Sequence, residues 1–193
     1  MIDPLGLYVH WPYCARICPY CDFNVVRERG RVGEAIRLVE AIVADIAANA
    51  ALIPERGLRS IFFGGGTPSL MHPDDVARVI EAARRAWPAA NDLEVTLEAN
   101  PTDAELGRFA AFAGAGVNRL SLGVQSLDDR DLKFLGRNHD AAAARRGLDT
   151  AIACFPRVSA DLIYALPDQT PNAWAAALGA IAAFGVEHIS PYQ

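Results

Sequence analysis

The chain has 193 residues, 52% hydrophobic and 21% charged, with a net charge of −5. Such a chain can bury a substantial core in a single domain spanning residues 1–193, which excludes a disordered protein. The acidic balance argues against a nucleic-acid surface. With no apolar run near the ~20 residues that cross a bilayer and no secretory signal at the start, a cytoplasmic location without a transmembrane segment is expected.

In chain order, Leu5 to His10 reads as a short buried strand that breaks at Pro12. Three cysteines follow within eight residues, Cys14, Cys18 and Cys21. Ile36, Val39, Val43 and Ile46 recur at helical spacing and predict a helix from about Glu34 to Leu52. Ser60 to Phe63 is a second strand that runs into Gly64-Gly65-Gly66-Thr67-Pro68. Pro73 opens the next helix, with Asp74 and Asp75 placed to suit its dipole and Pro88 to stop it. Leu93 to Glu98 alternates with period two and is a third strand. Asn100-Pro101 turns the chain, and Thr102 with Glu105 forms a capping box for a helix to about Ala113. Arg119 to Gly123 is the fourth strand, followed by a short helix near Asp128 to Leu135 and a longer one behind Asp140, from Ala141 to Ala153. Val158 to Ile163 is the fifth strand. A helix from Thr170-Pro171 carries the stripe Trp174, Leu178, Ile181, and Val186 to Ile189 is the sixth strand.

Strands alternating with helices predict an α/β fold with a parallel sheet. Loops after strands one to four all carry unusual polar residues. A barrel-like sheet points all its strand ends at one centre, whereas a doubly wound sheet concentrates its site at one crevice, so the pattern favours a barrel. Six units are too few for a closed eight-stranded barrel, which leaves a partial barrel or a truncated one.

Four cysteines with three crowded together do not make a secreted disulfide framework. Cys154, alone in an apolar helix, reads as a small packed hydrophobe. Arg84-Arg85 and Arg145-Arg146 read as solvated helix faces. A C-x3-C-x2-C loop after a strand is a thiolate metal site. Zinc would need a fourth ligand, for which His10 is the nearby candidate. No second cysteine pair lies downstream, and three thiolates that leave one metal position open favour an iron–sulfur cluster. Residues 64–68 let backbone approach a ligand, but lack the G-K-S/T ending of a phosphate loop. Glu98 ends a strand on the face of Glu94 and Thr96, where its carboxylate can accept hydrogen bonds from a diol or an amine. Asp161, inside an apolar strand, implies a partner, because an unpaired buried carboxylate is costly.

Cys14-x3-Cys18-x-Tyr20-Cys21 resembles the cluster loop of radical S-adenosylmethionine (radical SAM) proteins. The runs Tyr8 to Cys14, Gly64 to Ser69, Glu98 to Pro101, Gly123 to Ser126, Gly136 to His139 and Asp161 to Pro167 are similar to the oxygen-independent coproporphyrinogen oxidase branch, in that branch's order. The resemblance implies a parallel partial (β/α)6 barrel. It implies that Cys14, Cys18 and Cys21 bind three irons of a 4Fe–4S cluster, the fourth iron being chelated by SAM. Gly65, Gly66 and Thr67 would meet the methionine end of SAM, and Tyr8, Tyr20, Glu98, Gln125, Arg137 and Asp161 would be further SAM contacts. A low-potential donor such as flavodoxin or ferredoxin would supply an electron that cleaves SAM to methionine and a 5′-deoxyadenosyl radical.

Within the branch, the porphyrinogen-converting enzymes carry another cysteine two residues after the third. Here that position is Phe23, in Cys21-Asp22-Phe23, which is similar to the branch's heme chaperones. Heme would then be the cargo and a heme-acceptor protein a partner. Porphyrinogen decarboxylation is the alternative, and a zinc-stabilised structural module a third. Family members continue beyond the equivalent of Gln193, so the chain is expected to be C-terminally truncated. An isolated chain of this length would expose its last strand edge and be poorly soluble and inactive.

Overall fold

The computed structural model describes residues 3–103 and 106–193. Its strands are β1 (Pro4–Trp11), β2 (Tyr13–Cys14), β3 (Val26–Arg27), β4 (Gly57–Gly65), β5 (Ala89–Ala99), β6 (Arg119–Gln125), β7 (Arg157–Ile163) and β8 (His188–Tyr192). Its helices are α1 (Val32–Leu52), α2 (Pro73–Ala86), α3 (Leu106–Gly114), α4 (Asp129–Phe134), α5 (Ala141–Cys154) and α6 (Pro171–Ala182).

Six strands form one parallel sheet in the order β1-β4-β5-β6-β7-β8, and β2 pairs with β3 in a separate two-stranded ladder. The spatial order of the main sheet follows the chain order without reversal. A doubly wound sheet must reverse to create its binding crevice; this one does not. It is an open arc of a barrel, with β1 and β8 as its edges. Successive helices pack on one another, α1 on α2, α2 on α3 and α3 on α5. No described helix is long and apolar enough to cross a membrane.

Period-two alternation divides the arc into two chemically different faces. Val95 and Leu97 of β5, Leu120 and Leu122 of β6, and Val158, Ala160 and Leu162 of β7 are buried on one face in the main core. The opposite face is polar. It carries Glu94, Thr96 and Glu98, then Arg119 and Ser121, then Arg157, Ser159 and Asp161, then His188, Ser190 and Tyr192, as the strand register aligns them. These groups bond across strands: Ser121 Oγ donates to Asp161 (3.1 Å) and Arg157 bridges Glu94 (2.7 Å) and Glu187 (2.8 Å).

Helix starts follow the caps read from sequence. Asp140 accepts from the Ala143 N–H (2.7 Å) and Thr170 from the Ala173 N–H (3.2 Å). In α2 the cap is His72, which accepts from the Asp74 N–H. The Glu105 half of the predicted capping box lies outside the described residues. Several strand expectations shift: β4 begins at Gly57 rather than Ser60 and β5 at Ala89 rather than Leu93, and in β1, an edge strand, only Val9 and Trp11 are buried. The sixth strand begins at His188 rather than Val186, because Gly185 turns at φ 81° and pairing starts only where the Glu187 N–H reaches the Val158 carbonyl. The small β2–β3 ladder has no signal at the level of hydrophobic period, since two residues cannot show one.

Candidate functional site

β1 ends where Pro12 interrupts the ladder, and the chain re-pairs at once. The Val26 N–H donates to the Pro12 carbonyl and the Glu28 N–H to that of Cys14, both at 2.8 Å. The cysteine loop is thereby pinned at both ends by β2 and β3. Cys14 is buried, and Cys18 and Cys21 are half-buried and joined by a turn from the Cys21 N–H to the Cys18 carbonyl (3.1 Å). Burial pushes the Cys14 thiol above its ordinary pKa, against a hydrogen bond from the Thr67 hydroxyl that favours the thiolate. His10 does not join the thiols. Its Nδ1 bonds the Tyr8 hydroxyl (3.0 Å) and its Nε2 the Asn24 carbonyl (2.9 Å). Among the described residues no three His, Cys, Asp or Glu side chains gather around a point that would hold a single ion. His10, the fourth ligand that the zinc alternative named, is therefore engaged elsewhere.

β4 carries the glycine run into the loop's flank. Gly66 donates to the Trp11 carbonyl (2.6 Å) and Thr67 to that of Tyr13 (2.9 Å). A Cβ on Gly66 would lie 2.7 Å from the Tyr13 carbonyl oxygen, so only glycine fits between two backbones. Gly65 has φ 108°, in the region that favours glycine, and its N–H donates to Glu98 Oε2 (3.1 Å).

The remaining groups come from the carboxyl ends of β5, β6 and β7 and from the loop after α4. Burial, reinforced by the charge of Asp161, pushes Glu98 up to about 7, although the Gly65 N–H opposes this. Asp161 is pushed up to about 6 by burial, opposed by hydrogen bonds from Ser121 and Ser190. The partner that its place in an apolar strand implied is thus a pair of hydroxyls. Gln125 has φ 66° beside a register shift between β6 and β7. An irregularity of this kind re-aims a strand-end side chain, and a non-glycine residue there stores strain. Arg137 donates through Nη1 to Cys18 Sγ and the Tyr20 hydroxyl, both 3.2 Å, and through Nη2 to the Gly123 carbonyl (3.0 Å) and Asn100 Oδ1. Its buried Nε has no partner among the described residues.

These groups surround one cavity of about 470 Å³. Cys14, Cys18, Cys21, Tyr20, Gly65, Gly66, Thr67, Glu98, Gln125, Arg137 and Asp161 all line it, as does Phe23. Tyr8 is the exception among the cluster and SAM positions that the resemblance implies. It stacks on Phe62 of β4 and bonds His10, outside the lining. Several lining residues carried no functional reading in the sequence, among them Tyr192, Gly123 and Asn100. Tyr192 follows from the later start of β8. Gly123 leaves room beside Asn100 and Arg137, where a Cβ would lie 3.3 Å from Asn100 Oδ1. Asn100 itself passed for a turn residue, although its place in the Glu98-Ala99-Asn100-Pro101 run was the available signal.

The arrangement has three chemical parts: thiols on one wall, a backbone cradle without side chains beside them, and carboxylates with a guanidinium beyond. Thiols suit a soft metal centre. The carboxylates can accept hydrogen bonds from an ammonium or a diol, and the Arg137 guanidinium can face a carboxylate. The donor set fits an iron–sulfur cluster held by three cysteines beside a zwitterionic ligand.

Comparison with known proteins agrees. The profile of the Radical SAM superfamily matches residues 8–181. The chain is 48% identical over 189 residues to Radical S-adenosyl methionine domain-containing protein 1, mitochondrial, of Bos taurus, covering 97% of this chain and 42% of that protein. It is 38% identical to the heme chaperone HemW of Escherichia coli, covering 100% of this chain and 51% of that protein. Among solved structures it superposes on the coproporphyrinogen III oxidase HemN of Escherichia coli with a TM-score of 0.84 and 29% identity, over 99% of this chain and 44% of that one. The chain spans about half the length of the curated relatives it matches.

Proposed function

The chain belongs to the radical SAM superfamily, in a branch with HemW-like and HemN-like relatives, and on that premise we propose that it is the cluster- and SAM-binding part of a heme chaperone. Cys14, Cys18 and Cys21 would hold the 4Fe–4S cluster. Gly65, Gly66 and Thr67 would lie along the methionine end of SAM, with Tyr20, Glu98, Gln125, Arg137 and Asp161 around the rest and Tyr8 behind the cavity wall. When bound there, the cluster would supply one-electron reduction to the sulfonium of SAM. The protein's own part is positional: the pinned loop fixes the thiols, the glycines admit close approach, and the carboxylates hold the polar groups of the ligand.

The observation that carries the chaperone reading is Phe23. It lines the cavity and is 57% exposed, at the position where the resemblance implies a cysteine in porphyrinogen-converting members. An apolar ring there offers a flat porphyrin a surface and offers no thiol for chemistry. Porphyrinogen decarboxylation is the second reading, favoured by the likeness to HemN. The relatives include bacterial proteins and proteins named as mitochondrial, so the family alone does not assign the compartment.

The test is anaerobic reconstitution of the intact protein, followed by heme titration and by incubation with SAM, reductant and coproporphyrinogen III. Stoichiometric heme binding without protoporphyrinogen formation is expected. Product formation would establish the second reading, and failure to bind heme would reject the first. Cys18→Ala and Cys21→Ala are expected to lose iron, read as loss of the broad visible absorption.

A further inference from the structure

We propose that Asn100 is a positioning residue that fixes the Arg137 guanidinium against the Cys18 sulfur and thereby raises the reduction potential of the cluster. This rests on the cluster assignment above. Asn100 stands at the carboxyl end of β5 with both ends of its amide engaged. Nδ2 donates to Thr67 Oγ1 (3.3 Å) and Oδ1 accepts from Arg137 Nη2. Arg137 Nη1 in turn reaches Cys18 Sγ at 3.2 Å. One polar chain therefore runs Thr67–Asn100–Arg137–Cys18, from the turn after β4 through the end of β5 and the loop after α4 to a cluster cysteine. Asn100 is the link that holds the guanidinium.

The consequence is electrostatic. One-electron reduction adds negative charge to a cluster, and hydrogen bonds to its sulfurs together with nearby charge set its potential. A cationic donor on a ligand sulfur stabilises the reduced state. Arg137 has three donor nitrogens and several acceptors within reach, so the guanidinium needs an anchor to keep Nη1 on sulfur. Asn100 and the Gly123 carbonyl both hold Nη2. Asn100 carries no charge of its own and acts on the potential by holding Arg137, which the double variant separates from any route through Thr67.

The experiment is a redox titration, followed by absorption and by paramagnetic resonance of the reduced state, on the anaerobically reconstituted intact protein without SAM. The variants are Asn100→Ala, Arg137→Gln and the double variant. Each is expected to lower the reduced-to-oxidised ratio at fixed potential by about tenfold, the order of a charge-assisted hydrogen bond, or about 59 mV for one electron. The double variant should shift no further than Arg137→Gln alone. An unchanged potential in Asn100→Ala, or additive shifts in the double variant, would overturn the proposal. Should Asn100→Ala fail to load iron, Asn100→Leu keeps the size, removes the amide and adds no charge. It must show the same non-additivity with Arg137→Gln, and additive shifts there reject the proposal equally. Absence of iron from the unmodified protein would instead reject the cluster assignment, and with it this inference, before any potential is measured.

Discussion

Glu98 and Asp161 face one cavity from neighbouring regions of the arc, and both carboxyls are harder to ionise than in an unfolded chain, Glu98 at about 7 and Asp161 at about 6. Both folded-state values lie above the unfolded ones, so the folded ligand-free protein binds protons more tightly than the unfolded one. Stability from these groups is complete below about pH 4 and is lost as pH rises through 6 and 7. Thermal unfolding of the ligand-free protein is therefore expected at lower temperature at pH 8 than at pH 5. Glu98→Gln should recover on the order of 2 kcal/mol at pH 8 and well under half of that at pH 5. Equal gains at both pH values would mean that desolvation of this carboxylate is not the cause. The same substitution should weaken SAM binding, measured by calorimetry, since the amide cannot offer a charge to an ammonium. Gly66→Ala is a second test at this scale. Its Cβ would meet backbone oxygens at 2.7 and 2.8 Å, neither of which can rotate away, so the cysteine loop must shift and iron loading should fall.

At the scale of single elements, helix ends and strand ends do different work. α5 begins at a clean cap, Asp140 accepting from the Ala143 N–H at 2.7 Å, in the loop that also carries Arg137. Asp140→Ala is expected to cost about 1 kcal/mol, or roughly 3 °C in melting temperature for a chain of this size, by differential scanning calorimetry. A loss below a few tenths of a kcal/mol would assign that helix start to tertiary packing instead. Strand ends were the harder features to read. Glu98 and Asp161 stood out because carboxylates are unusual at such positions. Gln125 could be placed at a strand end, but its left-handed backbone depends on a register shift against β7 that no local pattern encodes. The β2–β3 ladder depends on two backbone bonds between segments twelve residues apart, and only a folded loop brings those together.

For the molecule as a whole, the apolar side of the arc carries the stability and the polar side carries the site. Leu120 is fully buried in the main core, and Leu120→Ala is expected to cost about 2–5 kcal/mol. Arg157 ties β5, β7 and the start of β8 through Glu94 and Glu187, yet its side chain is 41% exposed. Arg157→Ala is therefore expected to cost under about 1 kcal/mol, less still at high salt. Denaturant melts of both variants decide the ranking, and the reverse order would place the stability in the polar face. The helices cover the apolar side in chain order, which leaves the polar side and its cavity as the free surface of the arc.

The alternation of strand and helix, the caps at Asp140 and Thr170, the three-cysteine loop and the glycine run are all determined by the sequence alone, because each rests on residues close together in the chain. Sequence also assigned the face of Glu98, since period two is local. The tertiary structure decided what depends on distant segments meeting. It excluded the doubly wound alternative through an unreversed strand order, and it engaged both His10 nitrogens away from the thiols. It gave Asp161 two serines as partners and left Tyr8 outside the cavity. It also turned Asn100 from a bend in the chain into the link between Thr67 and Arg137. The physical reason is common to all of these: a local pattern determines which way a side chain points along its own element, whereas its partners depend on the register and curvature of the sheet as a whole.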